Sequence, residues 1–279
     1  NKPFFLACGV YRPHLPWYVP QKYFDLFDED DIVLPKVPDD DLKDIPSAGV
    51  KIAKPQGDHA KVTKHDQWEK AVHGYLASIA FADEQVGRVL KALRKSPQAK
   101  DTIVVLWTDH GWHLGEKQHW RKFTLWEEAA RTPLMIHVPE KLSKSFPNGT
   151  KAGTRIDVPV GLIDVYHTLV DLCGVGENKA LEGQSLVPLL KNSQTKWDRP
   201  ALTTHGRNNH ALRTPRWRYL RYGDGSEELY DHDADPDEWT NLAGKTEHSD
   251  LKKKLSAWFP KKNAEPAAYD KRIKKPKKK

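Results

Sequence analysis

The run Thr108-Asp109-His110-Gly111 puts a carboxylate, an imidazole and a glycine on consecutive positions. A carboxylate oxygen of Asp109 is a hard ligand suited to Ca2+ or Mg2+. His110 adds a nitrogen to such a site or lies against a bound anion, and Gly111 lets the backbone turn sharply. Taken alone, the tripeptide reads as a turn with a capping aspartate. Its continuation narrows the chemistry. Trp112, His113, Glu116, Lys117, Trp120, Arg121 and Lys122 follow closely, and a solvated loop does not normally carry two tryptophans among three cations. The mixture suits a cleft for a rigid, polar, anionic ligand.

Other reactive side chains have less context. His14 lies in Arg12-Pro13-His14-Leu15-Pro16-Trp17 and, by itself, reads as a loop histidine held by prolines. His59, His65, His73, His205 and His210 have no metal-ligand spacing. The Asp-rich patches at 28–31 and 39–41 read as solvated loops. Asn148-Gly149-Thr150 fits a glycosylation sequon. There is no phosphate-binding Gly-rich loop and no Ser-centred nucleophile elbow.

The elements that position these residues are readable from periodicity. The unbroken apolar run Thr102 to Trp107 predicts a strand covered on both faces, with the Asp109 turn directly after it. Ligands of open α/β sheets bind at such carboxyl ends. Leu134–Val138 predicts a second strand, and Phe4–Val10 another, which would bury Cys8. Cys173 also sits in an apolar stretch, and two cysteines cannot build a disulfide framework. Trp68, Val72, Tyr75, Leu76, Ile79, Val86, Val89, Leu90 and Leu93 recur at three- and four-residue steps, predicting a helix over 66–95 that Ser96-Pro97 ends. Residues 162–173 repeat that spacing, and Gly174 suits the helix C-terminus. Residues 28–65 show no period and read as a long surface excursion. Beyond residue 196, Trp217–Tyr222 and Glu228–Tyr230 predict a hairpin across Gly223-Asp224-Gly225, with a short helix over 250–259.

The fold class is therefore α/β: a partial sheet flanked by helices over 1–196, then a small antiparallel α+β subdomain over 197–260. Hydrophobic residues make up 38% of the 279, enough for a packed core, and no apolar run is long enough to span a membrane. The net charge of +7 resides in residues 261–279, where nine basic residues face two acidic ones. The rest is neutral, so a nucleic-acid-binding face is not expected. This tail reads as a solvated disordered end, or as a contact for polyanions. The chain opens on Asn1 and runs at once into apolar residues without a signal peptide, which reads as a start inside a larger protein.

Several of these stretches together resemble the sulfatases of the alkaline-phosphatase-like superfamily, most closely the iduronate-2-sulfatase-like branch. Asp109-His110-Gly111-Trp112-His113-Leu114-Gly115-Glu116 with Trp120-Arg121-Lys122 resembles the family's metal-site segment. Arg12 to Trp17 resembles its Pro-His-x-Pro loop, and Tyr75 to Leu93 its helix before the metal strand. Asp164-Val165-Tyr166-His167-Thr168-Leu169 resembles its Asp-x-x-Pro-Thr-Leu helix, with His167 in place of Pro. Glu228-Leu229-Tyr230-Asp231 through Asn241-Leu242 resembles its closing hairpin. The resemblance implies an alkaline-phosphatase-like sheet. It implies one Ca2+ held in part by Asp109 and His110, Lys122 on the sulfate, and His14 as hydrogen-bond donor or general acid to the leaving alcohol. Trp112 and Trp120 would line a sugar subsite. The substrate implied is a sulfated sugar or glycosaminoglycan, in a periplasmic, secreted or lysosomal setting. Residues 1–196 would then be the carboxy-terminal part of the catalytic domain.

The family's nucleophile is a formylglycine made within Cys/Ser-x-Pro-x-Arg, a motif expected outside this chain. Cys8-Gly9-Val10-Tyr11-Arg12 imitates the spacing but has Val10 where Pro is required. The 279 residues alone are accordingly expected to be inactive. A phosphoester or phosphonate hydrolase of the same superfamily, and a non-catalytic polyanion-binding role for the Lys-rich tail, are the alternatives. The sequence leaves the oligomeric state open.

Overall fold

The computed structural model describes residues 2–146, 149–176 and 179–265. Asn148 of the sequon and residues 266–279 of the basic tail lie outside the described residues.

The helices are α1 (Gln21–Phe24), α2 (Ser47–Ala53), α3 (Asp58–Lys64), α4 (Trp68–Arg94), α5 (Glu127–Ala130), α6 (Glu140–Ser143), α7 (Asp164–Cys173), α8 (Val187–Lys191) and α9 (Ser249–Ser256). The strands are β1 (Val104–Trp107), β2 (His113–Leu114), β3 (Trp120–Arg121), β4 (Leu134–His137), β5 (Ala201–Thr204), β6 (His210–Arg213), β7 (Trp217–Arg221) and β8 (Glu227–Asp231).

Helix α4 is the spine that the periodicity predicts, and its first half is the better covered. Val72, His73, Gly74, Ala77 and Ser78 are buried, while Ile79 and Val89 of the predicted stripe are exposed. Tyr23 and Phe24 of α1 set their rings edge-on to Phe81 and His73 at 5.3 Å each. Gly74 admits Trp17, whose ring would lie 3.3 Å from any Cβ there. Helix α7 ends as predicted, on Gly174 in the left-handed region at φ 63°.

The predicted strands at 102–107 and 134–138 form and pair with each other, antiparallel, with Trp107 opposite Leu134 and Val104 opposite His137. They are not covered on both faces: Trp107 and Met135 are about half exposed. The Phe4–Val10 strand does not form. That segment pairs with no strand among the described residues, and Phe4, Phe5 and Leu6 are exposed. An apolar run becomes a buried strand only when neighbours supply its hydrogen bonds and cover its faces. Both cysteines, predicted buried, are exposed, Cys8 on this unpaired segment and Cys173 at the end of α7.

Residues 28–65 correct a second expectation. They form α2 and α3, and place Ile45 and Ala53 in a core cluster with Leu125, Trp126, Ala211, Leu220, Tyr222 and Tyr230. Seven-residue helices are too short to show a period.

The C-terminal sheet runs in the order β5-β6-β7-β8, all antiparallel. Its two-residue alternation splits the side chains cleanly. Ala211, Leu220 and Tyr230 face the cluster with Trp126 and Ala53. Leu212, Tyr219 and Leu229 face Leu255 of α9 and Phe259. One face of this sheet thus forms the floor under the segment 111–127 that carries the candidate site.

Between them lies a buried ionic network. Arg218 hydrogen-bonds Glu127 and forms an ion pair with Glu238, Arg213 reaches Glu127, and His232 lies 2.8 Å from Glu238. Lys117 of the site segment pairs with buried Asp41 at 2.6 Å. Burial works against ionisation of Glu127, but the guanidiniums of Arg218 and Arg213 override it and hold the carboxyl at about 2.

Candidate active site

The site forms where three loops meet. The first follows β1 and carries Asp109 and His110. Gly111 is needed here for close packing. Its φ is not in the left-handed region, but a Cβ would lie 1.9 Å from the Glu128 carbonyl oxygen, and Gly111 N donates to Ala129 O at 2.8 Å. The second loop is the ribbon in which β2 pairs with β3, Leu114 opposite Trp120. Its strained backbone has left-handed φ at Lys117, Gln118, Arg121 and Phe123. The third loop is 11–18, closed by Tyr11 Oη donating to Leu15 O at 3.0 Å and Trp17 Nε1 donating to Pro13 O at 3.0 Å. Arg12 donates to His14 O and Tyr18 O.

These loops bring four of the six sequence-derived candidates together. Lys122 Nζ lies 3.0 Å from His14 Nε2 and 2.9 Å from His110 Nε2. His14 Nδ1 lies 2.7 Å from Leu15 O, and His110 Nδ1 lies 2.7 Å from Gly111 O. A carbonyl only accepts, so Nδ1 carries the hydrogen in both rings and Nε2 accepts from the ammonium. Asp109 Oδ2 stands 3.5 Å from His110 Nε2, and its side chain is 78% exposed, free to take a ligand.

The tryptophans are placed differently. Trp112 is buried, stacked on Tyr75 at 6.1 Å and against His14 and His110 at 5.2 and 6.0 Å. It is a wall that fixes both imidazoles, and its indole N–H is buried without a partner among the described residues. Trp120 is also buried and donates to His59 Nδ1 at 3.3 Å, away from the Lys122 cluster. The exposed aromatics at this place are Tyr11, whose hydroxyl lies 3.1 Å from His14 Nδ1, and Phe123, whose ring is 5.5 Å from Lys122 Nζ. Neither belongs to a motif, and no sequence signal marks them. Cys8 stands exposed on the unpaired segment.

Glu127, His232 and Glu238 have ligand atoms close enough to share a metal ion. Their charges are already met by Arg213 and Arg218, so they form a structural network.

Acidic groups lie behind the site. Burial raises Glu116, and burial with the charge of Glu116 raises Tyr75. Burial pushes Glu128 up to about 8, with Glu238 and Glu116 adding to it. A carboxyl raised on folding takes up a proton, so its stability contribution is full below the unfolded value of about 4.5 and is lost as pH rises towards 8. Urea unfolding should show a loss of about 1–3 kcal/mol between pH 5 and 8 from this group. Glu128→Gln should flatten that slope, and an unchanged slope would remove Glu128 as its source.

Comparison with known proteins identifies the fold and the family. A phosphonate monoester hydrolase from Silicibacter pomeroyi superposes with a TM-score of 0.72 at 24% identity, covering 88% of this chain and 53% of that one. A protein solved in complex with its substrate D-glucosamine-2-N,6-O-disulfate superposes at 0.68 and 22% identity, covering 88% and 62%. The fold is thus that of the alkaline-phosphatase-like α/β enzymes. The sulfatase family model matches residues 1–175, and that for the C-terminal part of N-sulphoglucosamine sulphohydrolase matches 115–265. A sulfatase of Formosa agariphila is 43% identical over 268 residues, 95% of this chain and 51% of its own length. The chain belongs to the sulfatase family. It spans about half the length of the curated relatives it matches. No helix among the described residues is long and apolar enough to cross a membrane.

Proposed function

We propose that this chain supplies half of the active site of a sulfuric ester hydrolase of the iduronate-2-sulfatase-like branch, which releases sulfate from a sulfated sugar or glycosaminoglycan. The observation that carries this reading is the Lys122 ammonium held between His14 Nε2 and His110 Nε2, beside exposed Asp109. Lys122 contacts the sulfate and offsets negative charge building on the leaving oxygen. His14 has Nδ1 committed to Leu15 O, so Nε2 is the nitrogen it offers to the leaving alcohol, donating when protonated. Trp112, packed against both imidazoles, walls the sugar subsite; Trp120, buried and turned to His59, is not assigned to it.

Asp109 and His110 would hold Ca2+. Their donor set fits in part: Asp109 gives one hard oxygen, while His110 Nε2, 3.5 Å away, has its lone pair taken by Lys122 and would ligate only with that contact open, and Ca2+ takes about six to eight ligands, mostly oxygen. The bound ion would supply positive charge to an anionic substrate group. The remaining ligands and the formylglycine nucleophile belong to residues outside this chain, consistent with relatives of twice its length. The setting of such an enzyme is periplasmic, secreted or lysosomal.

The test is turnover by the full-length protein with Ca2+, using an aryl sulfate, a sulfated glucosamine and a phosphonate monoester. Sulfate release should dominate and should fall with Asp109→Ala as Ca2+ affinity falls. Faster turnover of the phosphonate would overturn the reading in favour of the activity of the structurally similar hydrolase.

A further inference from the structure

His119 is a buried histidine with an uncommon pair of partners. Its Nδ1 lies 2.7 Å from Ala53 O, and its Nε2 lies 2.8 Å from Lys122 O. Both partners are backbone carbonyls, which only accept. The two bonds therefore exist together only when both ring nitrogens carry hydrogen, that is, as the imidazolium. Ala53 is the last residue of α2, whose terminal carbonyls lack intrahelical donors and favour a cation.

The second carbonyl is that of Lys122, between two residues with left-handed backbones, Arg121 at φ 77° and Phe123 at φ 74°. Such conformations are unfavourable for residues with side chains and persist only where surrounding contacts over-determine them. The ribbon pairing of β2 with β3 ends at Arg121, so the bond from His119 is what fixes the backbone of Lys122 itself.

We propose that His119, as an imidazolium, is the positioning residue for Lys122, tying the strained loop to the end of α2 so that the ammonium reaches His14 and His110. This rests on the assignment of Lys122 to the sulfate given above. The two carbonyls are the polar partners of this ring. His113 sets its ring edge-on to it at 5.1 Å. It is held neutral, pushed well down by burial with the charge of His119 adding to it. Its Nε2 accepts from Thr124 Oγ1 and its Nδ1 donates to Glu116 O. His205, which contacts Phe123, is lowered by burial first, then by Lys54 and His119. Lys54 follows α2 directly.

Two measurements test this on the full-length protein. Nitrogen NMR of the labelled histidines, assigned by difference with His119→Gln, should show two one-bond N–H couplings in the His119 ring. A single coupling overturns the proposal. In kinetics, glutamine cannot span both carbonyls, and misplacing Lys122 should lower kcat/KM by about 10- to 100-fold. The loss should fall on kcat more than on KM. A variant that loses stability in urea unfolding while keeping kcat/KM within about threefold of wild type has lost packing only, and that outcome overturns the proposal. Absence of any turnover with two N–H couplings intact would instead remove the sulfatase reading and leave the clamp.

Discussion

Replacing Lys122 by alanine should lower kcat/KM of the full-length protein for a sulfate ester by about 10²–10³-fold, the range for removing a preorganised donor aimed at developing charge. The magnitude follows from how firmly the ammonium is held. It bonds two imidazoles at 3.0 and 2.9 Å, and each imidazole is fixed through its other nitrogen to a backbone carbonyl. Trp112 braces both rings. Such a group needs little reorganisation during reaction, so its loss falls on kcat as well as KM. Lys122→Arg should recover little, because a planar guanidinium does not substitute for a compact ammonium between two ring nitrogens. Steady-state kinetics decide the matter. A loss below about threefold would take Lys122 out of the charge-stabilising role.

Arg218→Met should lower the unfolding free energy by about 3–5 kcal/mol, the usual consequence of removing one partner from a buried ionic network. Arg218 is fully buried and serves two carboxylates, Glu127 and Glu238. Without it, both carboxylates stay buried with less compensation. The pH dependence follows from Glu127. Its folded value of about 2 lies below the unfolded value of about 4.5, so its contribution is present above 4.5 and fades as pH falls towards 2. The variant loses that depression, so the stability gap between variant and wild type should narrow on acidification from pH 7 to 4. Denaturant titrations at both pH values measure it. A gap below 1 kcal/mol at pH 7 would show that the network contributes little net stability.

Long and regular elements were readable in the sequence because each is described by its own period. Helix α4 spans seven turns, and its stripe identifies it within two residues at either end. The alternation of β7 and β8 sorts Tyr219 from Leu220 and Leu229 from Tyr230 onto opposite faces. What the period could not carry was context. Helix α2 has too few residues to repeat a pattern, yet its end receives His119. Phe4–Val10 has strand composition without strand partners. Gly111 read as a turn residue, whereas the carbonyls of α5 leave no room for a side chain there. The meeting of His14 with Lys122 spans 108 positions, and only the family resemblance pointed to it. His119 could not be singled out, because its two partners are backbone carbonyls without residue identity.

The ammonium of Lys122 has three N–H bonds to give, and His14 and His110 receive two of them. An arriving anion can therefore take one hydrogen bond from Lys122 without disturbing the histidines. To take a second, it must displace one ring. Displacing His14 would free its Nε2 lone pair beside the newly bound group, and displacing His110 would free a lone pair beside Asp109. In the proposed site, occupancy by an anion and the availability of imidazole nitrogen are thus exchanged at a single atom, Lys122 Nζ.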